Sequence, residues 1–306
     1  MHQLHQLRRM AHPAPSPIYC LRGAGAPLNT LHFCCRGTDT PLLFSGSAKG
    51  MIHMWNLNSR RPEKSFEAHG GSSILWVRRL QSKDALISQG RDMQVCLWDL
   101  RGGCGELVDS VFTGSFGFCQ CSLIETDQTK SLLAFATQQS EEPDSGPGPL
   151  LLAGYEDGSL LLWDVTQRSK LSQVKAHPEP VMCLTFDPQR LRGISGSAET
   201  KLSSWILDSQ NNIQLQECVK LVNPGVSQLC IRADGKLLAS AGWDHRVRIF
   251  GWKKLQPLAV LQYHSDMVLS VAFSDHLDPR QRLLAAGSKD QRISLWSIYN
   301  EGAATG

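Results

Sequence analysis

The chain has 306 residues, 42% hydrophobic and 19% charged, with 31 Lys and Arg against 28 Asp and Glu for a formal charge of +3. No apolar run approaches the roughly 18 residues that cross a bilayer, which argues against a membrane partner. The basic excess is small and scattered in doublets such as Arg60-Arg61, Arg78-Arg79 and Lys253-Lys254, which argues against nucleic acid.

The first 16 residues carry His2, His5, Arg8, Arg9 and His12 ahead of Pro13, Pro15 and Pro17, and read as a disordered leader. IYCLR (18 to 22) reads as a lone strand. From there to residue 300 one unit recurs: an apolar strand, a turn, a second strand ending in small residues, a tight turn, and a third strand ending near an aromatic. Six times that aromatic lies six residues after a turn position that is usually acidic: Lys49 and Trp55, Asp92 and Trp98, Asp157 and Trp163, Glu199 and Trp205, Asp244 and Phe250, Asp290 and Trp296. The aromatics are 43, 65, 42, 45 and 46 residues apart, and apart from the stretched interval this is the period of a WD40 β-propeller blade. The expectation is therefore an all-β fold in one domain, residues 17–300, with a disordered tail at 301–306. Six clear blades are expected, closed by IYCLR pairing beside RISLWSI (292 to 298) so that no long edge stays free.

The fifth unit shows the pattern plainly. Ala-Asp-Gly (233 to 235) makes a turn, LLASAG a second strand, WDHR a second turn and VRIFGW a third strand. Ser, Gly and Ala crowd the second strands, where neighbouring backbones are expected to approach closely. Between Trp98 and Trp163 the chain carries about half a blade extra, including SLLAFATQQ (131 to 139) and the Pro/Gly/Ser-rich SEEPDSGPGP (140 to 149). The alternative architecture is seven blades with one incomplete around 104–165, and residues 125–149 read as a flexible insertion.

His69, Ser88, Asp92 and Trp98 contain the ingredients of a Ser-His-Asp hydrolase. Their spacing instead fits a structural tetrad, in which a histidine before the first strand bonds the turn acid and a strand serine links to the Trp ring nitrogen. His177, Ser195, Glu199 and Trp205 repeat it, while units one, three, five and six keep only parts. Gly23-Ala24-Gly25 lacks the helix and lysine of a phosphate loop, and neither GxSxG nor HExxH occurs, so neither enzyme activity nor a cofactor is expected. Among 10 cysteines the close sets are Cys34-Cys35 and Cys119-Gln120-Cys121, not paired C-x2-C motifs. Cys96, Cys183 and Cys230 lie in apolar strands as small hydrophobes. No metal site is expected, and the compartment expected is reducing: cytoplasm, and nucleus besides.

The residue before each turn acid lies on one rim, giving Arg91, Glu156, Trp243 and Lys289 as candidate protein-binding positions. Trp243 reads either as an interface anchor or as a residue packed on a neighbouring loop. On the other rim Trp98-Asp99-Leu100-Arg101 fits the WDxR pattern and resembles the docking signature of cullin-4 ligase substrate receptors; a plain blade end followed by a surface arginine accounts for it too.

RGISGSAETK (192 to 201), AGWDHRVRIF (241 to 250), QPLAVL (256 to 261) and AAGSKDQRISLWS (285 to 297) resemble the guanine nucleotide-binding protein subunit beta-like family, over roughly residues 18 to 299. The resemblance extends to the fungal ASTRA-associated proteins. It implies a non-enzymatic adaptor, a monomer within a larger complex, whose partners are a kinase-maturation co-chaperone assembly and its clients, the phosphatidylinositol 3-kinase-related kinases. Its alternative is a cullin-4 substrate receptor acting through Arg101. No G-protein gamma subunit is expected as a partner, because the leader is short and broken by prolines where gamma binding needs a long helix.

Overall fold

The computed structural model describes residues 15–35, 40–80, 84–102, 105–114, 120–125, 131–134 and 149–300. Most of the expected leader (1–16) and insertion (125–149), and all of the tail (301–306), lie outside the described residues. Residues 131–134 of that insertion form a strand.

The described chain is strand and turn throughout, apart from one 3-10 turn at Pro279–Gln281. β1 (Tyr19–Leu21) stands alone at the start. Blade one is β2 (Leu28–Cys34), β3 (Leu42–Ser47), β4 (Met51–Asn56) and β5 (Arg61–Glu67), and blade two is β6 (Ile74–Leu80), β7 (Ala85–Gly90), β8 (Gln94–Asp99) and β9 (Glu106–Phe112). A two-stranded sheet follows, β10 (Ser122–Glu125) with β11 (Ser131–Ala134). Blade three is β12 (Leu150–Gly154), β13 (Ser159–Asp164) and β14 (Ser169–Lys175), and blade four is β15 (Val181–Asp187), β16 (Arg192–Ser197), β17 (Lys201–Leu207) and β18 (Ile213–Lys220). Blade five is β19 (Val226–Ile231), β20 (Leu237–Gly242), β21 (Arg246–Gly251) and β22 (Pro257–Gln262). Blade six is β23 (Val268–Phe273), β24 (Leu284–Ser288) and β25 (Ile293–Trp296), with β1 as its fourth strand.

The six aromatic positions thus fall on six sheets in a six-bladed propeller arrangement. The half-blade expected in the long interval is the β10–β11 pair, and blade three has no inner strand among the described residues. Closure follows the sequence: Tyr19 pairs with Leu295, Cys20 with Ser294 and Leu21 with Ile293. Even the irregularities repeat. Blades one to five each shift register beside the aromatic, between Met54 and Trp55, Leu97 and Trp98, Leu162 and Trp163, Ser203 and Trp205, and Ile249 and Phe250. A bulge adds one residue and sharpens the twist, so its recurrence turns each outer strand alike.

The core is a ring of seams between neighbouring blades. Phe44 and Ile52 of blade one meet Ile74, Leu86 and Trp98 of blade two, and Leu28 and Trp55 of blade one meet Leu21, Ala285 and Leu295 of blade six across the closing seam. Each fully buried Leu or Ile contributes roughly 1.5–3 kcal/mol there, so removing one blade exposes two seams. The small residues of the second strands serve these seams. At two of them a side chain of the next blade approaches, not the backbone expected from the sequence: a Cβ on Gly46 would fall 2.5 Å from Ile74 Cγ2, and one on Gly154 2.5 Å from Val181 Cγ1.

Candidate protein-interaction surface

The tight turns between second and third strands are shaped from within. The residue after the turn acid takes a left-handed conformation in four blades, with φ of 63° at Met93, 86° at Gly158, 68° at His245 and 67° at Gln291. The acid accepts backbone N–H groups that the turn leaves free: Asp92 from Gln94 (3.2 Å), Asp157 from Ser159 (2.9 Å) and Asp290 from Arg292 (3.1 Å). In blade one, where Lys49 replaces the acid, Ser47 Oγ accepts from Met51 N at 3.1 Å instead.

Beneath blade two the tetrad is complete. Trp98 Nε1 donates to Ser88 Oγ at 2.8 Å, Ser88 Oγ lies 2.7 Å from His69 Nε2, and His69 Nδ1 lies 2.9 Å from Asp92 Oδ2. With a neutral imidazole protonated at Nδ1, every donor in the chain from Trp to Asp finds an acceptor. Ser88 is fully buried and its lone pair is taken by the indole, so no substrate can reach it as it would a hydrolase nucleophile.

Blade four departs from expectation. His177 Nδ1 lies 2.6 Å from Glu199 and Nε2 2.8 Å from Ser195 Oγ, but Trp205 does not join them, and its buried Nε1 has no partner. The cause is Gly193. Residues paired with the blade aromatic are Leu43, Leu86, Leu238 and Leu284 in other blades, whereas Trp205 pairs with Gly193. The indole lies over that glycine, where a Cβ would overlap it, and stacks on Phe186 at 5.7 Å and 5°.

Blade six corrects the sequence in the other direction, because its network is whole. His264 Nδ1 lies 3.0 Å from Asp290, His264 Nε2 lies 2.8 Å from Ser294 Oγ, and Trp296 Nε1 donates to the same oxygen at 2.8 Å. The second strand offers Ala286 where blades one, two, four and five have Ser45, Ser88, Ser195 and Ser240, and the hydroxyl has moved to Ser294, the cross-strand partner of Ala286. In blade five the equivalent partner of Ser240 is Arg248, which replaces histidine and bonds Asp244 at 3.0 and 2.6 Å, with Asn223 adding a bond of 2.7 Å. Blades one and three do keep only parts: Trp55 bonds Ser45 at 2.8 Å, and Trp163 donates to Tyr155 Oη at 3.2 Å.

The charges follow from these surroundings. Burial pushes His177 and His264 below the ordinary histidine value, outweighing Glu199 and Asp290, and favours neutral rings. Burial alone would raise the Asp244 carboxyl, but hydrogen bonds from Arg248 and Asn223 with the Arg248 charge hold it at about 2.

On these supports sit the candidate contact residues. Arg91, Glu156 and Lys289 are exposed on three turns of one rim. Glu156 also borders an open cleft of about 340 Å³ with Tyr155, Asp157, Leu161 and Gln173. Trp243 is half-buried, its ring seated on Gly225 at φ 88°, which favours the packing alternative over a free anchor. On the opposite rim Arg101 folds back on Asp99, with bonds of 3.1, 3.0 and 2.7 Å, and stays 78% exposed. Sequence spacing did not reveal one feature of that rim: Arg192 of blade four stacks 4.9 Å above Trp252 of blade five, whose Nε1 donates to Asp187 at 2.8 Å. Among the described residues no group of three His, Cys, Asp or Glu side chains is placed to hold a metal ion.

A ring of sandwiched sheets closed by β1 on β25, with an acid in five of its six turns and an aromatic on the third strand of every blade, is a WD-repeat β-propeller. The family model described as WD domain, G-beta repeat, matches residues 216–251 and 255–297. Guanine nucleotide-binding protein subunit beta-like protein 1 of Mus musculus is 44% identical over 322 aligned positions, covering 94% of this chain and 97% of the mouse protein. ASTRA-associated protein 1 is 29% identical in Schizosaccharomyces japonicus and 26% in Schizosaccharomyces pombe, each covering 93% of this chain and 99% of the fungal protein. The chain belongs to the guanine nucleotide-binding protein subunit beta-like family of WD40 propellers.

Proposed function

We propose that this chain is a non-enzymatic adaptor that assists the maturation and stability of phosphatidylinositol 3-kinase-related kinases together with a co-chaperone assembly, in the cytoplasm and the nucleus. The observation that carries the reading is the similarity, over 93% of this chain, to fungal proteins named for association with ASTRA, on a fold whose tetrad serines and histidines are buried. A platform of this kind works by holding partners, and its turns need little ordering on binding.

Affinity purification of the tagged full chain is expected to recover the co-chaperone assembly or its client kinases, and depletion is expected to lower kinase abundance without lowering the transcripts. Kinase levels that stay constant through depletion would sink the proposal. A cullin-4 receptor role would rest on Trp98 to Arg101 alone, and Arg101→Ala tests it.

A further inference from the structure

In a propeller the outer strand of each blade is partly covered by the blade that follows. Position 111 shows the rule and its exception. Phe66, Val111, Val174, Val219 and Leu261 all pair with the apolar residue near the start of their blade's third strand. Phe66 packs on Trp98, Val174 and Val219 join the seams to the next blade, and Leu261 is buried. Val111 is 45% exposed. Among the described residues the sheet that follows it has only β10 and β11, whose Leu123 and Leu133 join a seam that includes no residue of β9. All seven residues of β9 are exposed, with Leu107 at 55%, Val108 at 59% and Phe112 at 66%.

The strand also lacks the usual protection of an edge. β5 carries Arg61, Pro62 and Lys64, β14 carries Lys170 and Lys175, β18 ends on Lys220, and β22 begins with Pro257. Lysine and proline at edges block pairing with another strand. β9, ELVDSVF, has no Lys, Arg or Pro, and among the described residues it ends its sheet with β8 as its one neighbour.

We propose that β9 accepts an extended basic and apolar segment of a partner protein as a fifth strand of blade two. The backbone ladder supplies adhesion, apolar side chains cover Leu107 and Phe112 on one face, and on the other Lys or Arg residues meet Glu106 and Asp109 and lay their stems over Val111. Charge selects this occupant. Residues 135–148 of the chain itself contain Glu141, Glu142 and Asp144 and no Lys or Arg, so they carry the same sign as the strand. A second copy pairing antiparallel about the middle of β9 would set Asp109 opposite Asp109, and like charges directly opposed are unfavourable.

The inference rests on the adaptor reading but is tested apart from it, with two labelled seven-residue peptides and the full chain. Fluorescence anisotropy is expected to show binding of a peptide alternating Val and Lys, with one alternating Val and Glu at least tenfold weaker. Glu106→Lys with Asp109→Lys is expected to reverse that order, Val111→Lys to weaken the Val/Lys peptide at least tenfold, and N-methylation of alternate peptide amides to abolish binding. All these substitutions are exposed, and unchanged thermal unfolding verifies that the variants fold. The inference is overturned if neither peptide binds, or if binding ignores the charge reversal or the N-methylation. It is equally overturned if sedimentation finds a dimer that Val111→Lys splits, or if deleting 135–148 raises amide exchange in β9. Loss of co-purified kinase machinery would refute the adaptor reading and leave the peptide result standing.

Discussion

Replacing Ser294 by Ala isolates what the buried network of blade six contributes. The Ser294 hydroxyl serves two buried groups at once, Trp296 Nε1 at 2.8 Å and His264 Nε2 at 2.8 Å, and Ser294 is itself fully buried. A buried polar group left without a partner costs about 1–3 kcal/mol, so stranding two costs roughly 2–6 kcal/mol. Thermal unfolding followed by tryptophan fluorescence is expected to move down by roughly 3–9 °C. The sharper part is the rescue. Ala286 pairs with Ser294 across the ladder and occupies the place that Ser88 holds in blade two. Adding Ala286→Ser to Ser294→Ala returns a hydroxyl to the same pair of partners from the opposite strand, and is expected to recover at least half of the lost stability. A single variant within about 0.5 kcal/mol of the parent, or a double variant no better than the single, would refute the reasoning.

Trp98→Phe is expected to cost at least about 1 kcal/mol more in urea unfolding than Trp205→Phe, because the first breaks a bond to Ser88 and the second removes an Nε1 that has no partner. Equal losses would show that Trp205 is paired in solution. Stability is expected to fall with acid in two stages. His177 and His264 have folded values below the unfolded 6.5, so their contribution is complete above about pH 6.5 and erodes as pH falls through the folded values. Asp244, held at about 2, contributes fully above its unfolded value of roughly 3.9 and loses that contribution as pH falls toward 2. Unfolding midpoints from pH 8 to 3 test this, and stability that rises between pH 6.5 and 5 would contradict the neutral histidines. Arg101→Ala is expected to leave stability within about 0.5 kcal/mol, since its pair with Asp99 is solvent-facing. Loss of binding to a cullin-4 ligase adaptor in that variant would support the receptor reading, and retained binding would remove the motif.

The elements most legible in the sequence were those whose cause is local. A turn acid six residues before an aromatic marks five of the six blades, and an apolar run after Asp157-Gly158 or Asp234-Gly235 marks a hairpin, because turn geometry and strand alternation act over a few residues. The tetrad of blade two was legible for the same reason, with all its members on one repeat spacing. Ser294 escaped because the hydroxyl lies on the third strand, and only the antiparallel register makes it equivalent to a second-strand serine. Trp205 escaped because its orientation depends on a missing side chain at Gly193, which spacing alone does not flag. Trp243 was left open between anchor and packed residue because the surface that receives it, Gly225, belongs to the loop after another blade.

The pairing of β1 with β25 also sets an order on how the molecule comes into being. During synthesis β25 emerges after every other described strand, and until then β1 has no sheet to join. Leu21 and Leu28, which share a seam with Ala285 and Leu295, stay solvated for that interval while the intermediate blades are already able to stack. The last contact is the longest-range one, so the entropy of closing the whole chain falls on a three-residue strand. A premature stop anywhere before Ile293 would therefore leave two raw flanks, one at each end of the array, instead of a ring lacking one part.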